Sequence, residues 1–225
     1  MRVADYITEF LFKNGIKTSF MLSGTGSVFL DDAFANFKGM SYVSARHESA
    51  AVMMAVGYYK LSQKPGVALV TTGPGGANAV GGVVEAWVDS VPTIIISGQV
   101  DSKFLDQDLR YFGVQGLNIL PIIKPITKFS KTITDPYSIQ YYLDKALYLA
   151  LEGRPGPVWL DIPFDIQSAK ITDQKKMRVF NRPAKVREPI ENVNSQANLI
   201  IEKILKAEKP LFILGQGVQQ AGAVK

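Results

Sequence analysis

The chain has 225 residues, 47% of them hydrophobic, with a net charge of +5, one histidine and no cysteine. At about 100–200 residues per domain it exceeds one average domain and falls short of two, and its apolar content supports a buried core and excludes wholesale disorder. Without cysteine there is no disulfide framework, thiolate metal site or Cys nucleophile, one histidine excludes a multi-His zinc site, and a reducing cytoplasm is the natural setting.

At the amino end, Val3, Ile7, Phe10 and Leu11 share one face at helical spacing, and Asn14-Gly15 supplies a stop. Asp5 and Glu9 break the uncharged run that a signal peptide needs. A short apolar strand is expected at 19–22, then a Ser-Gly-Thr-Gly turn at 23–26 and a helix over 27–37. A strand at 40–43 precedes a long helix, 47–62, rich in small residues. Residues 67–71, Val-Ala-Leu-Val-Thr, are apolar up to Thr71 and rich in β-branched residues, as in a buried parallel strand. A Gly-rich turn, a helix over 77–89 and a second buried strand at 93–97 follow. Glu85, Asp89 and Pro92 interrupt this most apolar region, so no membrane span is expected. After an irregular stretch come a helix over 137–151 and a strand at 157–161. Strands alternating with helices predict an α/β fold, a mostly parallel sheet with helices on both faces.

Past Pro163 the composition turns polar and basic. Ten basic and five acidic residues fall between Lys170 and Lys209, which accounts for the whole net charge. The stretch carries Pro183 and Pro189 and lacks recognition-helix features, so a solvated linker is expected and not a nucleic-acid surface. Helical periodicity resumes at Ala197 with Leu199, Ile200, Ile204 and Leu205. A buried strand at 210–214 followed by Gly215-Gln216-Gly217 reads as the opening of a second, Rossmann-like domain. The expected division is a domain over 1–168, a basic linker over 169–194, and the beginning of a truncated domain over 195–225.

In a parallel sheet, ligands bind beyond the carboxyl ends of the strands. Three loops stand there: Ser23-Gly24-Thr25-Gly26, Arg46-His47-Glu48 and Thr72-Gly73-Pro74-Gly75-Gly76. The first lacks the Gly-Lys-Ser/Thr end of a P-loop, so a phosphate cradle and a plain tight turn are equally open. Glu48 opens a helix among small apolar residues; taken alone, an acidic residue there is most often a complement to the helix dipole. His47 taken alone is more often a packed or surface imidazole than a catalyst.

Several blocks in fixed order alter those odds. Arg46-His47-Glu48-Ser49-Ala50-Ala51 is followed by Gly57-Tyr58 and Val70-Thr71-Thr72-Gly73-Pro74-Gly75-Gly76-Ala77-Asn78. Asp89-Ser90-Val91-Pro92, Ile96-Ser97-Gly98-Gln99-Val100, Lys124-Pro125-Ile126-Thr127-Lys128 and Gly153-Arg154-Pro155-Gly156-Pro157-Val158-Trp159-Leu160-Asp161-Ile162-Pro163 come after them. In this order they resemble the amino-terminal, pyrimidine-binding domain of thiamine-diphosphate-dependent enzymes, closest to acetolactate synthase large subunits, over about residues 1–168.

The resemblance implies a role for Glu48 as the carboxyl that hydrogen-bonds N1′ of the aminopyrimidine and promotes its imino tautomer. It places Pro74 and Asn78 where the family's glycine-rich loop meets the pyrimidine, and Gln115 near the cofactor and substrate entrance. It implies a lyase or transferase that decarboxylates or ligates 2-oxo acids, with thiamine diphosphate as cofactor. Mg²⁺ and the diphosphate are expected on a carboxyl-terminal Gly-Asp-Gly domain, and no glycine of this chain is followed by Asp. No metal ligand is assigned within the chain, and FAD, which depends on the family's central domain, is left open. Family sites form between the pyrimidine domain of one subunit and the diphosphate domain of another, so the expected partner is a second copy of the intact protein or a separate diphosphate-domain chain. Two blocks depart from acetolactate synthases: Leu22-Ser23-Gly24-Thr25 stands for Tyr-Pro-Gly-Gly, and Gln115-Gly116 for Gln-Glu. The expectation is an amino-terminal portion inactive by itself; the alternatives are a natural split subunit that pairs with a separate diphosphate-domain chain and a non-catalytic remnant serving as a binding or assembly module.

Overall fold

The computed structural model describes residues 1–105, 109–183 and 190–223. By packing, the chain divides into two units, Met1–Arg182 and Pro183–Lys225.

The first unit runs α1 (Val3–Lys13), β1 (Thr18–Met21), α2 (Val28–Asn36), β2 (Ser41–Ser44), α3 (Glu48–Ser62), β3 (Gly66–Val70), α4 (Pro74–Val88) and β4 (Thr93–Gln99). It continues through α5 (Leu120–Ile123), β5 (Phe129–Thr132), α6 (Ile139–Leu151), β6 (Val158–Pro163) and α7 (Phe164–Ser168). The strands form one six-stranded sheet in the order β2-β1-β3-β4-β6-β5, every pair parallel. The expected mostly parallel α/β sheet is therefore parallel in every pairing.

Strand periodicity explains how both faces are filled. Val67 and Leu69 of β3, Ile94 and Ile96 of β4, and Val158, Leu160 and Ile162 of β6 face one layer, where they meet Ile7 and Leu11 of α1, Leu30 and Phe34 of α2, and Leu143 and Leu147 of α6. The alternate residues Ala68, Val70, Ile95 and Trp159 face the other, against Ala51, Val52 and Ala55 of α3 and Ala79 and Val83 of α4. Central strands buried on both sides therefore read as largely apolar runs without alternation.

The strands expected at 19–22, 40–43, 67–71, 93–97 and 157–161 appear as β1, β2, β3, β4 and β6, with ends shifted by at most two residues. Helix α4 starts at Pro74 instead of 77, because proline at a helix's first position needs no N–H partner and its fixed φ suits the first turn. Strand β5 lies inside the stretch read as irregular; it is a short edge strand, Phe-Ser-Lys-Thr, with partly exposed residues and no apolar run. The unit's packing continues beyond α7: Ile171 and Met177 belong to the first apolar layer.

In the second unit, α8 (Ile190–Lys206) and a short α9 (Gly217–Gln220) form. The buried strand expected at 210–214 does not: those residues have no strand assignment, and Leu211 and Ile213 are 85% and 87% exposed. A strand requires a neighbour to satisfy its backbone, and the described residues of this unit include no other strand. Of the expected linker, residues 184–189 lie outside the described residues. Among the described residues, no helix is long and apolar enough to cross a membrane.

Candidate active site

The sheet order has a switch between β1 and β3: the connection through α2 leaves β1 on one face, and α4 leaves β3 on the other. The carboxyl ends of these two strands therefore open a crevice, bounded by the loop 22–27 and by residues 71–76.

Glu48 is the first residue of α3 and only 7% exposed. His47 caps that helix, its Nδ1 accepting the Ser49 N–H at 3.2 Å, so the imidazole satisfies an otherwise orphaned helix donor. Asn78, in the first turns of α4, donates from Nδ2 to Glu48 Oε2 at 3.1 Å. Glu48 Oε1 lies toward Gly75: a Cβ built there would stand 3.3 Å from that oxygen and 2.7 Å from Thr71 Cγ2. The carboxyl is thus buried and held on one oxygen, and the chain beside its other oxygen has no side chain. Arg46 is exposed.

Close packing of α3 on α4 sets this geometry. A Cβ at Gly82 would fall 2.6 Å from Val52 Cβ and 2.7 Å from the Ser49 carbonyl oxygen, so the two helices approach to a distance that only glycine permits. The Ser49 hydroxyl also donates to the Asn78 carbonyl, tying the first turn of one helix to that of the other.

Pro74, expected at the pyrimidine loop, is exposed at the first position of α4. Gly73 before it has φ +58°, and a Cβ there would lie 1.8 Å from the Gln115 carbonyl oxygen. Gln115 itself takes a left-handed backbone, φ +62°, and is exposed. It lines a cleft of about 500 Å³ with Gly24, Gly26, Thr71, Thr72, Gln99 and others. The structure therefore gathers Glu48, Pro74 and Asn78 at the facing ends of α3 and α4, and brings Gln115 alongside through Gly73.

The glycines at 24 and 26 have a steric origin. A Cβ at Gly24 would meet Thr71 at 2.6 Å, and one at Gly26 would meet Thr72 Oγ1 at 2.1 Å. The loop is held from outside the crevice by Asp31, which accepts from Gly24 N at 3.2 Å and Ser27 Oγ at 3.0 Å. Burial pushes the Asp31 carboxyl up to about 6, against those two bonds.

One polar group at the strand ends escaped the sequence reading. Asp161 of β6 is 2% exposed and accepts from Ser97 Oγ at 2.6 Å, Gln99 Nε2 at 3.1 Å and Thr132 Oγ1 at 3.1 Å. Trp159 Nε1 donates to Ser97 Oγ at 2.7 Å, completing the chain. Burial pushes the Asp161 carboxyl up to about 6, with the three bonds acting against it. The signal was present as polar residues at matching places in apolar strands, Ser97, Gln99 and Asp161.

Residues 1–118 match the family model for the thiamine pyrophosphate enzyme, N-terminal TPP binding domain. The chain belongs to that family. It is 34% identical over 221 residues to the acetolactate synthase large subunit of Lactococcus lactis, covering 98% of this chain and 37% of that protein. It is 33% identical over 216 residues to chloroplastic acetolactate synthase of Arabidopsis thaliana, covering 95% of this chain and 31% of the relative. Glyoxylate carboligase of Escherichia coli O157:H7 is 32% identical over 227 residues, covering 99% and 36%. The chain spans about a third of the length of these curated relatives. The six-stranded parallel sheet is the fold of a family pyrimidine-binding domain.

Proposed function

We propose that this chain supplies the aminopyrimidine-binding half of a thiamine-diphosphate-dependent enzyme acting on a 2-oxo acid, by decarboxylation, carboligation or both. The observation that carries the reading is the buried Glu48 carboxyl, with Oε2 held by Asn78 and Oε1 beside a residue that has no side chain. The residues fit the group: a dry carboxyl next to an open backbone suits one short hydrogen bond to a ring nitrogen. When bound, thiamine diphosphate supplies the electron sink for cleavage next to a carbonyl carbon.

Each protein group then has one task. Glu48 would hold the ring nitrogen through Oε1, where the carboxyl can take up or give a proton. Asn78 orients the carboxyl through Oε2, and Gly75 keeps the approach to Oε1 open. Ala51 and Val52, one turn further along α3, are fully buried, and the Glu48 carboxyl shares that buried helix start. Pro74 would border the ring and Gln115 its entrance. Diphosphate and Mg²⁺ are held by residues outside these 225, in a second copy of the intact protein or a partner chain, and the setting is cytoplasmic. FAD is not assigned to any group here.

In an assembly that includes the diphosphate-binding domain, Glu48→Gln should abolish exchange of the C2 proton of bound thiamine diphosphate. Unchanged exchange refutes the role of Glu48. The 225-residue chain alone should show no turnover of pyruvate with cofactor and Mg²⁺; turnover would contradict the need for a second domain.

A further inference from the structure

At the amino ends of β4, β5 and β6 lies a second recess, at the opposite end of the strands from Glu48. It has a volume of about 630 Å³ and is lined by Trp87, Val88, Lys128, Glu152, Arg154 and Pro155. Trp87 and Val88 end α4, Lys128 precedes β5, and Glu152 to Pro155 join α6 to β6. All six therefore stand at the edge where strands begin, whereas Glu48, Gly75 and Gln115 stand where strands finish. At about 3.3 Å per residue, the seven residues of β4 separate the two edges by roughly 20 Å.

The lining has two chemical parts. One wall is apolar: the Trp87 indole is 41% exposed and Val88 65% exposed, with Pro155 beside them. Between that wall and the Lys128 stem lies buried Gly156, where a Cβ would come 3.1 Å from Lys128 Cδ and 3.8 Å from the indole Cε3. Glycine at this place lets the lysine stem and the indole close on the backbone, so the open part of the recess lies over the exposed indole and not between the two. The other part is cationic. The Lys128 ammonium donates to the Glu152 carbonyl oxygen, and Arg154 Nε donates to Ser90 Oγ at 2.6 Å. The same guanidinium carries four more N–H donors on its terminal nitrogens, in the fork that pairs with a carboxylate. Burial holds the Lys128 pKa down while the Glu152 charge acts the other way. Two cations against one carboxylate leave a single positive charge at the recess.

We infer that this recess is a binding site for an aromatic monocarboxylate, its ring against the exposed Trp87 indole and its carboxylate on Arg154 and Lys128. Apolar lining with a few convergent polar groups, in a volume of this size, is the general form of a small-molecule site. A neutral or dianionic ligand would match the charge less well, and a small hydrophilic anion would leave the indole wall unused. The site is separate from the cofactor reading, and neither stands or falls with the other.

The test is a titration of the ¹⁵N-labelled 225-residue chain with 3-phenylpropanoate, and with 3-phenylpropanamide as its uncharged twin. The chain has two tryptophans, so two indole N–H signals appear, and Trp87→Phe assigns them. Saturable movement of the Trp87 signal at millimolar ligand, with the Trp159 signal fixed, is the expected result. The amide should bind about tenfold more weakly or worse, and Arg154→Gln and Lys128→Gln should each weaken the acid by about tenfold. Both changes are at solvent-accessible side chains, and an unmoved Trp159 signal certifies the fold. No saturable Trp87 shift at about 10 mM acid, equal binding of acid and amide, or undiminished binding in both charge variants overturns the site.

Discussion

Replacing Asp161 by asparagine removes a titration from the core and should flatten the pH dependence of stability. In the folded protein, burial pushes this carboxyl up to about 6 from an ordinary 3.8. The unfolded chain releases that proton near pH 3.9, about two units before the folded one does. Across this window the folded state binds more protons, so its stability falls as pH rises. At roughly 1.4 kcal/mol per unit, about 3 kcal/mol present below pH 4 is lost once the pH has passed 6. Asp31 is also pushed up to about 6 and acts in the same direction, but it is less buried and solvent screening reduces its share. Urea unfolding at half-unit steps from about pH 4 to 7, followed by tryptophan fluorescence and far-ultraviolet dichroism, measures the slope. The Asp161→Asn protein should lose about 3 kcal/mol less than the wild type over that range. Any constant offset from the new amide is the same at every pH and cancels. Identical slopes in the two proteins would show that the carboxyl is already ionised in the fold, and would refute the desolvation argument.

Other changes bear on the site itself. Asn78→Ala strips Glu48 Oε2 of its donor; chemical unfolding should show a loss of about 1–3 kcal/mol, and cofactor affinity in the assembled enzyme should fall with it. Gly75→Ala places a methyl beside Glu48 Oε1 and into Thr71, so binding should weaken far more than the melting temperature drops; equal wild-type affinity would show that the ring does not approach there. Gly82→Ala drives a methyl into Val52 and the Ser49 carbonyl, costing about 1–3 kcal/mol by denaturant unfolding. Adding Val52→Ala should restore only part of this, because the backbone contact persists. Finally, Leu211→Ser with Ile213→Ser replaces two exposed aliphatic residues, and light scattering should report less self-association with no change in the first unit.

The fold was legible where burial is two-sided. Strands β3, β4 and β6 carry mainly apolar runs because helices cover both faces, whereas edge strand β5 has only Phe129 and a mixed surface to announce it. The same rule misleads at 210–214, where an apolar run signals a need for burial that the described second unit does not meet. Glu48 was found through its neighbours in a block motif, since a lone acidic residue at a helix start has a simpler explanation. Its bond to Asn78 could not be read, because it depends on how closely α3 and α4 approach, and that distance is set at Gly82, whose part in the site nothing local reveals. Asp161 passed unnoticed because its three partners come from β4 and β5, strands distant in sequence.

The beginning and the end of the first unit are joined by backbone: Val3 N donates to the Ala169 oxygen at 2.9 Å, and Ile171 N to the Met1 oxygen at 2.9 Å. From the same late stretch, Gln167 Nε2 reaches the Gly26 oxygen at 2.8 Å and braces the crevice loop. On the ribosome, these bonds cannot form until residues 167–171 have left the exit tunnel, many seconds after residue 26 at about 5–20 residues per second. The crevice loop is thus synthesised early and locked late, and the nascent chain must grow past α7 before that wall of the crevice is braced.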